Sequence, residues 1–61
     1  MILAEVIKRV KCINNTDTEF LTTGKIYDVI EDLKMIEKYA IVDNGGYVEE
    51  YSYNRFELIN D

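Results

Sequence analysis

The side chains that could do chemistry in this 61-residue chain are mainly carboxylates, because it has 12 Asp and Glu, one cysteine and no histidine. Without histidine it lacks the imidazole base of Ser-His and Cys-His nucleophiles and the imidazole ligand of many metal sites. Cys12 can form no internal disulfide and no multi-cysteine zinc site. Its place in an apolar pattern predicts a buried, unreactive thiol.

The carboxylates do not form a recognisable catalytic or metal-binding pattern. Adjacent acids occur at Glu31-Asp32 and Glu49-Glu50, but neighbours on a strand point to opposite faces. The stretch from Asn14 to Glu19 is rich in oxygen ligands, yet it lacks the central glycine and terminal bidentate Glu of an EF-hand loop. A chain this short buries only about 60% of its unfolded surface, which leaves little room for an enclosed pocket. We therefore expect no enzyme activity, no metal and no cofactor.

Charge is distributed unevenly along the chain, whose net charge is -5. Residues 1–13 hold three basic residues and one acid, whereas the remainder holds four basic residues and eleven acids. A nucleic-acid interface needs a basic footprint that displaces counterions from phosphates. Its candidates here are Lys8, Arg9, Lys11, Lys25 and Lys38. Because Lys8 would face away from Arg9 and Lys11 on a strand, nucleic-acid binding is an alternative rather than the first expectation.

Composition and the first residues bear on location. Hydrophobic residues make up 48% of the chain and charged residues 31%, which is typical of a folded soluble protein. The apolar opening Met1-Ile2-Leu3-Ala4 is far shorter than a membrane span, and Glu5 interrupts any signal-peptide pattern. We expect a cytoplasmic protein with no membrane partner.

The clearest local signal is Asp43-Asn44-Gly45-Gly46, which lies between two apolar runs. Asn-Gly suits the positive φ angles of a tight hairpin turn and predicts two antiparallel strands. Residues 25–33 are ambiguous, because their apolar residues match a helical stripe as well as a strand with Tyr27 and Val29 on one face. The opening residues also fit a helix. Periodicity thus leaves open an all-β chain and an α+β chain with an N-terminal helix on a small antiparallel sheet.

Two stretches resemble SH3-like small β-barrels. Residues 20–29, FLTTGKIYDV, are similar to the diverging turn and the strand after it, and residues 51–56, YSYNRF, are similar to the one-turn 3₁₀ helix before the closing strand. Over about residues 6–60 the chain also resembles small uncharacterised proteins of phages and Gram-positive bacteria. The resemblance implies one all-β domain, residues 1–61, folded as a five-stranded barrel. The implied strands are 5–13, 25–32, 37–43, 46–51 and 56–60, with loops at 14–24 and 33–36 and the 3₁₀ turn at 52–55.

On this interpretation the core has ten members. They are Val6, Val10, Cys12, Leu21, Tyr27, Val29, Ile41, Val48, Phe56 and Leu58. The five tyrosines divide into two groups. Tyr27 and Tyr51 are expected to cover the core, whereas Tyr39, Tyr47 and Tyr53 are candidates to point outward, because tyrosine combines an apolar ring with a polar tip.

In SH3 domains the loops and the 3₁₀ turn enclose a groove for extended peptides. By resemblance, Asp17 and Glu19 correspond to the acidic first loop, Tyr53 and Asn54 to the 3₁₀ turn, and Tyr39 stands nearest to the tryptophan of the third strand. Ser52 takes the place of the ligand-binding proline, so a proline-rich ligand is not expected. We expect a non-catalytic protein-binding module, such as a phage accessory protein acting on a host protein. The alternatives are nucleic-acid binding through the basic first strand and acidic mimicry of nucleic acid.

Overall fold

The computed structural model describes residues 8–59, and these form one antiparallel sheet of five strands. The strands are β1 (Lys8–Cys12), β2 (Ile26–Leu33), β3 (Lys38–Val42), β4 (Val48–Ser52) and β5 (Phe56–Leu58). The all-β prediction is confirmed, and residues 25–33, which could have been helical, are almost entirely strand. Their β-branched and aromatic residues favour a half-buried pleated surface. The parts of the first and last predicted strands at residues 5–7 and at residue 60 lie outside the described residues.

Two three-residue 3₁₀ turns interrupt the strands. The first turn, Lys34–Ile36, joins β2 to β3, and the second turn, Tyr53–Arg55, joins β4 to β5. The second was predicted at 52–55, whereas the first lies where only a loop was expected. Among residues 8–59 these turns are the helical segments, and no helix there has the length and apolarity needed to cross a membrane.

The sheet has the strand order β4-β3-β2-β1-β5. Every neighbouring pair is antiparallel. Within residues 8–59 the edge strands β4 and β5 do not pair with each other, so the sheet is open rather than a closed barrel. The long first loop, residues 13–25, connects β1 to β2.

The core lies on the inner face of the sheet. Its buried side chains are Val10, Cys12, Leu21, Tyr27, Val29, Tyr39, Ile41 and Phe56, with Tyr51 and Tyr53 packed against them. Seven of the ten expected core residues are confirmed, including the buried thiol of Cys12, and Val6 lies outside the described residues. Val48 and Leu58 were predicted wrongly, because both are more than half exposed. Both lie on edge strands, where only one side has a neighbouring strand to cover a side chain.

The hairpin between β3 and β4 is confirmed, but its turn differs from the expected one. Positive φ occurs at Gly46, at 80°, and not at Asn44 or Gly45. The Gly46 N–H donates to the Asp43 carbonyl at 3.0 Å, and the Asp43 N–H donates to the Tyr47 carbonyl at 2.9 Å. This is a three-residue loop that needs glycine at its last position.

Asp43 holds this turn from inside the fold, where it is 6% exposed. Its Oδ1 accepts hydrogen bonds from the backbone N–H groups of Gly45, at 2.9 Å, and Tyr47, at 3.2 Å. Its Oδ2 accepts the Tyr51 hydroxyl at 3.1 Å. Burial is the main reason that the pKa of Tyr51 is raised. The carboxylate therefore joins the turn to β4.

Candidate functional site

A β-bulge in β2 decides which acid turns toward the inner face. Around Ile30, β2 advances by two residues, from Val29 to Glu31, while β3 advances by one. An extra residue reverses the alternation of side chains beyond it. Asp32 consequently pairs with the buried Tyr39 and is itself half-buried, whereas Glu31 is exposed. The two adjacent acids therefore lie on opposite faces, as predicted.

Asp32 is the centre of a polar cluster at one end of the core. The Lys8 ammonium donates to its Oδ2 at 3.0 Å, and the Tyr53 hydroxyl donates to its Oδ1. Hydrogen bonds from Tyr53 and then Lys8 lower the pKa of Asp32. The hydrogen bond between Tyr53 and Asp32 also raises the pKa of the Tyr53 phenol, to about 12. Asp32 thus binds the second 3₁₀ turn to β1 and β2.

The Tyr53 ring is fixed by stacking as well as by this hydrogen bond. Its centroid lies 4.4 Å from that of Tyr39, and the Lys8 ammonium lies 5.5 Å from the Tyr39 ring centroid. Tyr39 was one of three candidates to point outward and is 8% exposed, because it lies on the inner face of β3. Tyr39 contributes to the surface by packing against the Tyr53 ring.

The two 3₁₀ turns lie side by side. The Tyr53 N–H donates to the Glu37 carbonyl at 2.9 Å, which joins the start of the second turn to the residue after the first. Glu37 has a left-handed backbone, with φ of 55°. An open groove of about 380 Å³ lies between the turns and is lined by Ile36, Glu37, Ser52, Tyr53 and Asn54.

A second open groove, of about 400 Å³, lies on the other side of Ile36 and extends along residues 32–36. Ile36 lines both grooves and is 55% exposed, and its neighbour Met35 is 100% exposed. The surface formed by both turns is named here the two-turn face. It comprises Met35, Ile36, Glu37, Ser52, Tyr53 and Asn54.

Sequence reasoning placed Tyr53 and Asn54 in this surface but missed Met35 and Ile36. A signal was present, since two apolar residues stand in the connection between β2 and β3, where polar turn residues are common. Alternation along a strand says nothing about such a connection. Their exposure depends on the first 3₁₀ turn, which has no distinctive sequence pattern.

The first loop is held against the second turn. The Arg55 guanidinium donates to the carbonyls of Asn14, at 3.3 Å, and Thr16, at 2.7 Å. Asp17 follows directly, with a left-handed φ of 63°. Asp17 and Glu19 are exposed, and within residues 8–59 neither makes a side-chain hydrogen bond or ion pair. The structure therefore joins Tyr39 with Tyr53, leaves Asn54 exposed beside them, and keeps the two acids on a separate loop.

The basic residues considered for nucleic-acid binding are mostly engaged. They are Lys8, Arg9, Lys11, Lys25 and Lys38. Lys8 binds Asp32, Arg9 forms an ion pair with Asp28 at 3.3 Å, and Lys25 donates to Asn44 at 2.8 Å. Lys11 lies opposite Glu57 on β5. Acids therefore neutralise much of the basic first strand.

The groups that the two-turn face exposes are of several kinds. Its exposed groups are apolar side chains, one ring, an amide and a carboxylate. In the described part of the chain, no three His, Cys, Asp or Glu side chains are grouped so that they could hold a metal ion. Comparisons with protein-family models, with curated proteins and with solved structures found no match.

Proposed function

We propose that this chain is a non-catalytic protein-binding module that contacts its partner through the two-turn face. The observation that carries the proposal is the complete exposure of Met35 beside Ile36, between two open grooves. Adjacent exposed apolar residues cost solubility, and protein interfaces are centred on apolar and aromatic anchors. Burying a fully exposed methionine contributes about 1.5–3 kcal/mol.

An SH3-like architecture forms part of the proposal. Three features support it: the strand order β4-β3-β2-β1-β5, the long loop between β1 and β2, and the 3₁₀ turn directly before β5. In such an architecture the loops and the 3₁₀ turn form the binding surface. Both grooves lie at the connection between β2 and β3 and one also borders the second 3₁₀ turn, whereas the first loop lines neither. The replacement of the ligand-binding proline by Ser52 makes a ligand other than a proline-rich peptide the expected one.

The rigidity of Tyr53 also supports this surface. Its hydroxyl is engaged by Asp32 and its ring is stacked on Tyr39, so the ring is already ordered before a partner arrives. A pre-ordered aromatic side chain loses little conformational entropy on binding. Asn54 is exposed next to it and, within residues 8–59, makes no side-chain hydrogen bond. Its amide is available to a polar group of the partner.

Charge indicates the kind of partner. Glu37 lines the first groove and the exposed Lys34 lines the second, so the turns carry one exposed charge of each sign. Asp17 and Glu19 lie on the first loop, and the net charge of -5 makes the surroundings acidic. A basic or mixed partner surface would be attracted to these acids, and complementary charge raises the rate of encounter and excludes acidic competitors. The partner is therefore expected to present basic residues around an apolar centre.

Capture from a lysate of a Gram-positive host tests the proposal with a matched pair of variants. Ile36 and Ile26 are 55% and 51% exposed, and only Ile36 belongs to the two-turn face. We expect Ile36→Ser and Tyr53→Ala to lose a partner that the unchanged chain and Ile26→Ser both capture. Asp17→Lys should weaken capture in a salt-dependent way. The same partners with all variants would remove the proposed face.

Titration with labelled DNA and RNA at low salt tests the alternatives. The proposal predicts no steeply salt-dependent binding, since three of the five basic residues are engaged within the fold. Strong binding that disappears with added salt would instead favour a nucleic-acid interface. Acidic mimicry would be favoured if the captured partner bound DNA and released it on addition of this chain.

A further inference from the structure

The edge of β4 that faces away from β3 is a second open surface, which meets the two-turn face at Ser52. β4 is the last strand in the order of the sheet. In an antiparallel pair, alternate residues direct their backbone N–H and C=O groups away from the partner strand. The Asp43 N–H donates to the Tyr47 carbonyl and the Tyr53 N–H to the Glu37 carbonyl, so residues 47, 49, 51 and 53 direct their backbone groups toward β3. Val48, Glu50 and Ser52 direct theirs away from β3, and within residues 8–59 these groups bond to no other segment. In that part of the chain they are free to pair with a further strand.

The side chains of this edge indicate which charge an incoming strand should carry. Glu49 pairs with the inward-facing Ile41, and Glu50 pairs with Ala40, so one acid lies on each face of the edge. Both side chains are exposed, and within the described residues neither carboxylate makes a hydrogen bond or an ion pair. Val48, more than half exposed, adds an apolar contact at the start of the strand. An incoming strand would therefore meet an acid on both of its faces.

We propose that β4 accepts an extended basic segment of a partner protein as a sixth strand, with two consecutive Lys or Arg residues beside Glu49 and Glu50. Consecutive residues of a strand point to opposite faces, so a basic pair places one cation next to each acid. Opposite charges across neighbouring strands stabilise pairing, and like charges oppose it. A second copy of this chain is a poor occupant, because antiparallel pairing of two β4 strands would bring these glutamates together.

Synthetic peptides added to the full chain test this proposal. The probe is an eight-residue peptide of alternating Val and Thr around a central Lys-Lys pair, and the comparison peptide has Glu-Glu at the centre. We expect the Lys-Lys peptide to shift the amide resonances of Val48 and Glu50, which point away from β3, and to slow their hydrogen exchange at low salt. Reversing two cross-strand charge pairs should weaken binding by roughly tenfold or more. N-methylation of alternate peptide amides should abolish the exchange protection.

Charge-matched variants separate the edge from general acidity. Glu49→Lys combined with Glu50→Lys should reverse the preference, so that the Glu-Glu peptide binds better. Glu19→Lys combined with Glu57→Lys changes the net charge equally at exposed acids of the first loop and β5, and should leave the preference unchanged. Three results would overturn the proposal: shifts confined to Met35, Ile36, Glu37, Tyr53 and Asn54, equal binding of the N-methylated peptide, or Val48 and Glu50 amides that are already protected in the free chain.

Discussion

Replacement of Asp43 should destabilise the fold more than replacement of any exposed acid. The carboxylate is 6% exposed and accepts three hydrogen bonds, two from turn amides and one from the Tyr51 hydroxyl. Asp43→Ala removes all three acceptor contacts and leaves a small void. Asp43→Asn keeps one oxygen for the two amides and loses the negative charge. The pair of variants therefore separates the geometry of the turn from its charge.

The expected cost follows from the contacts. A hydrogen bond to a charged group contributes about 1.5–3 kcal/mol, and a donor left without a partner costs about 1–3 kcal/mol only where water cannot reach it. The three contacts share one carboxylate and are not additive, and the amides of the exposed Gly45 and Tyr47 can bond to water in the variant. We therefore expect Asp43→Ala to cost about 3 kcal/mol, the upper value for a single charged hydrogen bond, and Asp43→Asn about 1 kcal/mol. A chain of 61 residues has a total stability of roughly 3–9 kcal/mol. The alanine variant should therefore lose at least a third of it.

Urea unfolding followed by far-ultraviolet circular dichroism measures these differences in the free energy of unfolding. In a thermal unfolding experiment, a loss of 1 kcal/mol should lower the Tm of a domain of this size by about 4–8 °C. Asp28→Ala is the control, since it removes an exposed ion pair with Arg9 and should cost less than about 1 kcal/mol. In a double-mutant cycle, Tyr51→Phe should cost much less in the Asp43→Ala background. Equal costs for Asp43→Ala and Asp28→Ala would refute this reasoning.

Three further predictions concern the backbone and the polar cluster. Gly46 has φ of 80°, and a Cβ added there would meet no atom within 4 Å. Gly46→Ala should therefore cost about 1–2 kcal/mol from backbone strain alone, and an unchanged urea midpoint would contradict this. Glu37→Gly should stabilise the chain by about 0.5–1 kcal/mol, because relief of a left-handed φ of 55° exceeds the added entropy of the unfolded chain; a lower urea midpoint would show the opposite. The lowered pKa of Asp32 gives stability that is present above an unfolded pKa of about 3.9 and is lost as the pH falls through the folded value. The raised pKa of Tyr53, about 12, gives stability that is complete below about pH 10 and is lost as the pH rises toward 12. Tyr53→Phe should therefore flatten both limbs of a plot of urea midpoint against pH, and an unaltered alkaline limb would argue against the Asp32 contact.

The sequence-based predictions succeeded where local signals decide the outcome. The hairpin at residues 43–46 follows from its turn residues. Burial of Tyr27 and Val29 fits alternation along one strand, once the resemblance had favoured a strand over a helix there. The second 3₁₀ turn was predicted through the resemblance. These features depend on neighbours in the chain, which a single sequence displays directly.

The predictions failed where tertiary context decides. Alternation assigns a residue to a face but does not show what covers that face, so Val48 and Leu58 were expected in the core although they lie on edge strands. Asp32 faces inward because of a bulge in β2, and no residue type in β2 indicates that bulge. The exposure of Met35 depends on a turn of only three residues. The sequence shows two apolar residues at 35 and 36 but not the turn that exposes them, nor the bulge that turns Asp32 inward.

Site-specific photocrosslinking tests the central claim most directly, that the two-turn face is the surface that contacts a protein partner. A photoreactive amino acid would replace Met35, whose side chain is fully exposed, and in separate samples Ile26 or Glu50. We predict that irradiation in host lysate joins one protein to position 35, with no such product at position 26, and that Tyr53→Ala abolishes it. Crosslinking of the same protein at position 26 but not at position 35 would contradict the account.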